Sequence, residues 1–152
     1  MKAFQYSLQN VLNIRRMQQD VQTGRHQSAV RQLHRQKEVL NQLRETVAGV
    51  VETATTAAET ISSRYLKDFD QFLRQQWAKQ QNQRKLIRQL QKEEDAERRT
   101  LLAARREVRK LEKHAEHQKK EWREAYRKEQ DKQVDELAVQ RFRLSPFGGE
   151  KL

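Results

Sequence analysis

Cysteine is absent from this 152-residue chain, proline occurs once and glycine four times. Without thiols there are no disulfides and no thiolate chemistry, and with no secretory leader legible the expected compartment is a reducing cytosol. Apolar runs are short: Val47 to Val51 is the longest, far below the roughly 20 residues that a membrane-spanning helix needs. Gly24 and Gly49 stand alone, which excludes a glycine-rich loop that would cradle phosphate. No cleft is expected to hold a Ser, His and Asp arrangement, so no catalytic residue, cofactor or small-molecule substrate is expected.

Charge is what the chain has in quantity. Lys and Arg total 32 against 21 acids, a formal charge of +11, while 35% of residues are hydrophobic and 35% charged. That balance suits long exposed helices better than a thick core. The excess makes acidic proteins, anionic lipid and nucleic acid electrostatically eligible partners. Arg15-Arg16, Arg98-Arg99, Arg105-Arg106 and Lys119-Lys120 are basic pairs, but acids interleave most of them and no base-reading module is spelled out. Nucleic acid is therefore not the expected partner. His114 and His117, with Glu121 one turn beyond, share a helix face, yet no second cluster would close a zinc site, and no metal is expected.

Periodicity supplies the fold. Ser7 is placed to cap a first helix, with Tyr6 and Val11 as a hydrophobic staple. From Leu33 the stripe Leu33, Gln36, Leu40, Leu43, Val47, Val50, Ala54, Ala57, Ile61 advances in alternating steps of three and four, the heptad spacing of helices that pair along a seam. Glu59 to Ser63 weakens the helix, and Ser62 is placed to cap a second one, with Ile61 and Leu66 as its staple. A single unbroken helix is the competing reading, because no Gly or Pro forces a break there. The second stripe runs from Ile87, Leu90, Glu94 and Glu97 through Leu101, Ala104, Val108, Leu111, Ala115, Gln118 and Trp122 to Ala125. Spaced pairs Glu94–Arg98, Asp95–Arg99, Glu116–Lys120 and Glu124–Lys128 are set to support its outer face. Tyr65, Phe69, Phe72 and Trp77 are expected to form an aromatic cap against Ala54 and Ala57.

The expectation is an all-α fold, a long antiparallel two-helix coiled-coil hairpin over residues 1–145. Helix one covers about 5–59, the turn about 60–62 and helix two about 63–143, with a mobile C-terminal tail at 146–152 after Pro146. Folding near residue 61 sets positions summing to about 122 side by side, Leu33 with Leu90 and Val11 with Leu111. Helix two then outruns helix one, leaving an overhang with apolar positions that no intramolecular neighbour covers.

The opening Phe4-Gln5-Tyr6-Ser7-Leu8-Gln9-Asn10-Val11-Leu12, the stretch Ile61 to Phe72 and the mixed-charge close from Lys119 to Ala138 resemble the FliJ flagellar export proteins. The resemblance spans nearly the whole chain and rests on the order and spacing of its parts. It implies a non-enzymatic stalk of the bacterial flagellar type III export apparatus, cytoplasmic and peripherally associated with the inner membrane at the flagellar base, serving motility and chemotaxis. The implied partners are the export ATPase hexamer, the cytoplasmic domain of the membrane export gate, and export chaperones. At the ATPase end the residues singled out are Leu8, Val11, Leu12, Arg15, Trp122, Glu129, Asp135 and Leu137. The resemblance maps gate contact onto Gln36, Leu40, Leu43, Val47 and Phe72. Leu43 and Val47 stand where the family can show aromatics, and Gln76, Lys79 and Gln83 continue the second stripe with polar groups. An injectisome stalk protein and a basic coiled-coil nucleic-acid binder are the alternative readings.

Overall fold

A computed structural model describes residues 2–56 and 62–145. The chain is all-α: α1 spans Gln9–Thr56 and α2 spans Ser63–Leu144, and among the described residues there is no strand. The two helices pack antiparallel along a heptad seam, as the periodicity implies. Contacts group into two compact units, Met17–Arg105 and Met1–Arg16 with Arg106–Leu152.

Helix α2 starts where Ser62 caps it, since the Tyr65 N–H donates to the Ser62 hydroxyl at 3.3 Å. The expected turn at 60–62 and the seam positions Ala57 and Ile61 fall mainly outside the described residues. Helix α1 begins at Gln9, later than expected, because Lys2 to Tyr6 is not helical. The Tyr6 carbonyl accepts from the Gln9 N–H at 3.2 Å, and Leu8 is the first carbonyl taken up by the helix, from the Leu12 N–H. The Tyr6–Val11 staple does not form: Val11 is exposed and Tyr6 turns to α2.

In the unit Met17–Arg105, with further half-buried residues on its flanks, the seam residues of α1 are Gln22, His26, Ala29, Leu33, Gln36, Leu40, Leu43, Val47, Val50 and Ala54. On α2 they are Phe69, Leu73, Gln76, Gln80, Gln83, Ile87, Leu90, Glu94, Glu97 and Leu101. Both series alternate steps of three and four, so each helix keeps one face to the other. Three polar layers fix the register. Gln22 Nε2 donates to the Glu97 carbonyl at 3.1 Å and to its carboxylate. His26 Nε2 lies 2.9 Å from Glu94 Oε1, and Gln83 Nε2 donates to the Gln36 carbonyl at 2.9 Å and to its Oε1 at 2.7 Å.

Those pairs sum to 119 or 120 rather than 122, which sets Leu33 opposite Ile87 instead of Leu90. The seam residues are equally periodic in either register, and hydrogen bonding between polar layers selects one. The register puts the glutamines of α2 against the leucines of α1, Leu40 with Gln80 and Leu43 with Gln76. Gln76 Oε1 is buried without a hydrogen-bond partner among the described residues. An orphaned buried acceptor of this kind costs about 1–3 kcal/mol.

In the unit containing both ends of the chain, Tyr6, Leu12 and Val108 form the core, with Phe4, Leu111 and Ala115 packed on it. Phe4 reaches Trp122 and Tyr6 reaches His114. A non-helical segment advances up to about 3.5 Å per residue, against 1.5 Å for a helix. Two residues of it, with their long rings, thus cover about two turns of α2.

Candidate functional site

The end of α2 is the feature that stands out physically. Its seam runs through Val108, Leu111, Ala115, Gln118 and Trp122, and from Arg123 to Ser145 every residue is exposed. Arg123 to Leu144 corresponds to roughly 33 Å of helix at 1.5 Å per residue. Ala125, expected in the seam, is exposed because the N-terminal segment meets α2 no further than Phe4 on Trp122.

Trp122 closes the covered part. Its ring lies 6.0 Å from Phe4 at 51° and stacks on Tyr126 at 5.2 Å and 20°. About two turns back along the seam, Tyr6 is anchored on α2 by two hydrogen bonds. Its hydroxyl donates to the Leu111 carbonyl at 3.2 Å while His114 Nδ1, 2.8 Å away, donates to the hydroxyl oxygen. Arg16 bridges to Glu112 at 3.2 Å. His114 is thus turned to Tyr6 and His117 to Glu121, and among the described residues no three His, Cys, Asp or Glu side chains converge.

Beyond Trp122 the apolar residues no longer keep to one face. Continuing the seam's heptad places Ala125, Glu129, Lys132, Glu136 and Val139 at the former contact positions, three of them charged. Val134, Leu137 and Leu144 lie off that line, at 61%, 59% and 82% exposure, and Phe142, at 70%, falls on a further side of the helix. This end carries exposed apolar residues on several sides, none of them covered by α1.

The residues singled out at the ATPase end separate by burial. Leu12 is a core residue at 3% exposure, whereas Leu8, Val11, Arg15, Glu129, Asp135 and Leu137 are exposed and Trp122 is half-buried between two rings. Phe4, Tyr6's bonds to α2, Tyr126 and the Arg16–Glu112 bridge escaped the sequence reading. The signal for Phe4 and Tyr6 was their spacing of two, which a helix would send to different faces.

The residues assigned to gate contact lie along the seam of the other unit. Leu40 is buried, Gln36 is bonded to Gln83, and Leu43, Val47 and Phe72 are half-buried. The aromatic cap is smaller than expected: Tyr65 stacks on Phe69 at 6.4 Å, but Trp77 stands 66% exposed and takes no part.

Electrostatics concentrate at Glu94. The Arg98 guanidinium and then the His26 ring hold its carboxyl down to about 2 against the opposing effect of burial. Arg98 donates to it at 2.7 Å and to Asp95 at 2.8 Å. The expected Asp95–Arg99 pair is therefore replaced by Asp95–Arg98. Glu116–Lys120 and Glu124–Lys128 are not within ion-pair distance, as exposed flexible chains gain little from pairing.

The family model described as Flagellar FliJ protein matches residues 4–146 of this chain. Neither a curated protein nor a solved structure matches. The described helices include none long and apolar enough to cross a membrane.

Proposed function

This chain belongs to the FliJ family of flagellar proteins, and on that premise we propose that it links the export ATPase ring to the membrane export gate. Membership makes it a non-enzymatic helical component of the flagellar export apparatus, acting in flagellum biogenesis and protein export. The observation that supports the finer reading is the exposed end of α2. A helix whose covered seam stops at Trp122, and whose further apolar residues Val134, Leu137, Val139, Phe142 and Leu144 all stand at least half exposed, is suited to a second protein surface.

In this reading Val134, Leu137 and Leu144 grip the ATPase ring together with Leu8, Val11 and Trp122. Arg15, Glu129 and Asp135 steer the encounter. Leu12 contributes indirectly, by holding the N-terminal segment on α2. Gate contact falls to the half-buried edges of Leu43, Val47 and Phe72, with Leu40 and Gln36 keeping the seam in register. Chaperone delivery and peripheral attachment at the cytoplasmic face of the inner membrane belong to the same proposal. The match is to a flagellar family, which favours the flagellar system over an injectisome.

Deleting residues 123–152 tests the assignment. The shortened chain keeps the Phe4–Trp122 closure and should retain its helical seam by circular dichroism while losing stimulation of the ATPase hexamer. Full stimulation by the shortened chain refutes the role given to the exposed end.

A further inference from the structure

Residues 71–92 of α2 hold six Lys or Arg and no acid. The seam fixes where these point. Trp77 and Arg84 each follow a seam residue of α2, Gln76 and Gln83, while Lys37 and Arg44 follow Gln36 and Leu43 of α1. In an antiparallel pair these four positions share one flank. Phe72, which precedes the seam residue Leu73, lies on the other.

On that flank an open groove is lined by Val47, Leu73, Trp77 and Ala78, together with Arg74 and Gln80. Trp77 is 66% exposed beside it. Among the described residues Lys37, Arg44 and Arg84 have no acid within ion-pair distance. Asp70, on the same flank, is held by Arg74 at 3.0 Å.

We propose that this flank docks an acidic amphipathic helix of a partner protein, its apolar ridge in the groove against Trp77 and its carboxylates on Lys37, Arg44 and Arg84. The surface shares only Val47 with the gate-contact set and does not depend on the ATPase–gate reading. Charge complementarity alone would also admit a bilayer or a duplex, and the geometry disfavours both. A flat membrane meets the outermost line of α2 first, and between Arg74 and Lys92 that line offers Ala78, Gln81, Lys85 and Arg88, with nothing large and apolar to insert. A phosphate backbone has no use for an apolar groove floor. A helix with an apolar face and acidic margins satisfies groove and rim together.

The chain's two tryptophans make the test direct. In full-length protein carrying Trp122→Phe, Trp77 alone reports. Three helical peptides of about 18 residues, with one leucine face and outer positions all Glu, all Gln or all Lys, are titrated against it. The Glu peptide should shift Trp77 emission to the blue and bind at least about ten-fold tighter than the Gln peptide, with no binding of the Lys peptide. The double variant Arg44→Glu, Arg84→Glu should reverse that order, a gain that unfolding cannot produce. The proposal fails if the three peptides bind alike, if none moves the emission, or if the reversal is absent. It also fails if vesicles with 30 mol% phosphatidylglycerol, or a DNA duplex, move the emission where the Glu peptide does not.

Discussion

Leu12 and Val11 are neighbours of similar size with opposite surroundings, 3% and 41% exposed. Leu12→Ala removes three buried carbons, worth about 2.4 kcal/mol at roughly 0.8 kcal/mol each. The core there consists of only Tyr6, Leu12 and Val108 with three partly covered neighbours, so the site can collapse and the cavity adds little. The expected loss is about 2–3 kcal/mol. Val11→Ala gives up less covered surface and recovers about half a kcal/mol of helix propensity, so its net effect should lie within about 0.5 kcal/mol. Hydrogen exchange of amides in residues 9–16 reads this unit directly, and urea midpoints followed by circular dichroism read the rest. If Val11 also meets the ATPase ring, Val11→Ala weakens ring stimulation at unchanged stability. Leu12→Ala should keep stimulation wherever it remains folded. Equal stability losses in the two variants would refute the burial argument.

Gly24→Ala and Gly49→Ala should each stabilise the chain by about 0.5–1 kcal/mol in thermal unfolding, because both lie within α1 and an added Cβ meets nothing within 4 Å. Gln76→Leu should raise stability by about 1–2 kcal/mol by removing the orphaned Oε1 from the seam, checked by urea denaturation. Glu94 gives a pH signature. Its folded pKa of about 2 lies below the ordinary 4.5, so its contribution is complete above about 4.5 and is lost as pH falls toward 2. Urea midpoints of the parent should decline across that window, and the decline should be shallower in Glu94→Gln.

The helices were legible because heptad spacing survives even where the seam is polar. Gln22, His26, Gln36, Gln76 and Glu94 keep the steps of three and four as faithfully as Leu33 or Leu101. Register was legible only to within a few residues, since a periodic seam fits its partner at several offsets. The hydrogen bonds Gln36–Gln83 and His26–Glu94 that choose among them depend on side-chain reach. The overhang of α2 followed from the unequal lengths of the two apolar stripes. The scatter of its apolar residues is visible in Val134, Leu137, Val139, Phe142 and Leu144 once the seam's phase is known. What the sequence hid was the N-terminal closure. Phe4 and Tyr6 were read as leading into a helix, and only a non-helical segment lets them reach Trp122 and His114.

Because the chain has no cysteine, single cysteines introduced at exposed sites carry spin labels without further change. A label at Val134, 61% exposed on the uncovered end beyond Trp122, addresses the central claim. On addition of the export ATPase hexamer its spectrum should pass from mobile to immobilised, while a label at exposed Val39 keeps its mobility. An unchanged spectrum at 134 under conditions where the ATPase is stimulated would contradict the account.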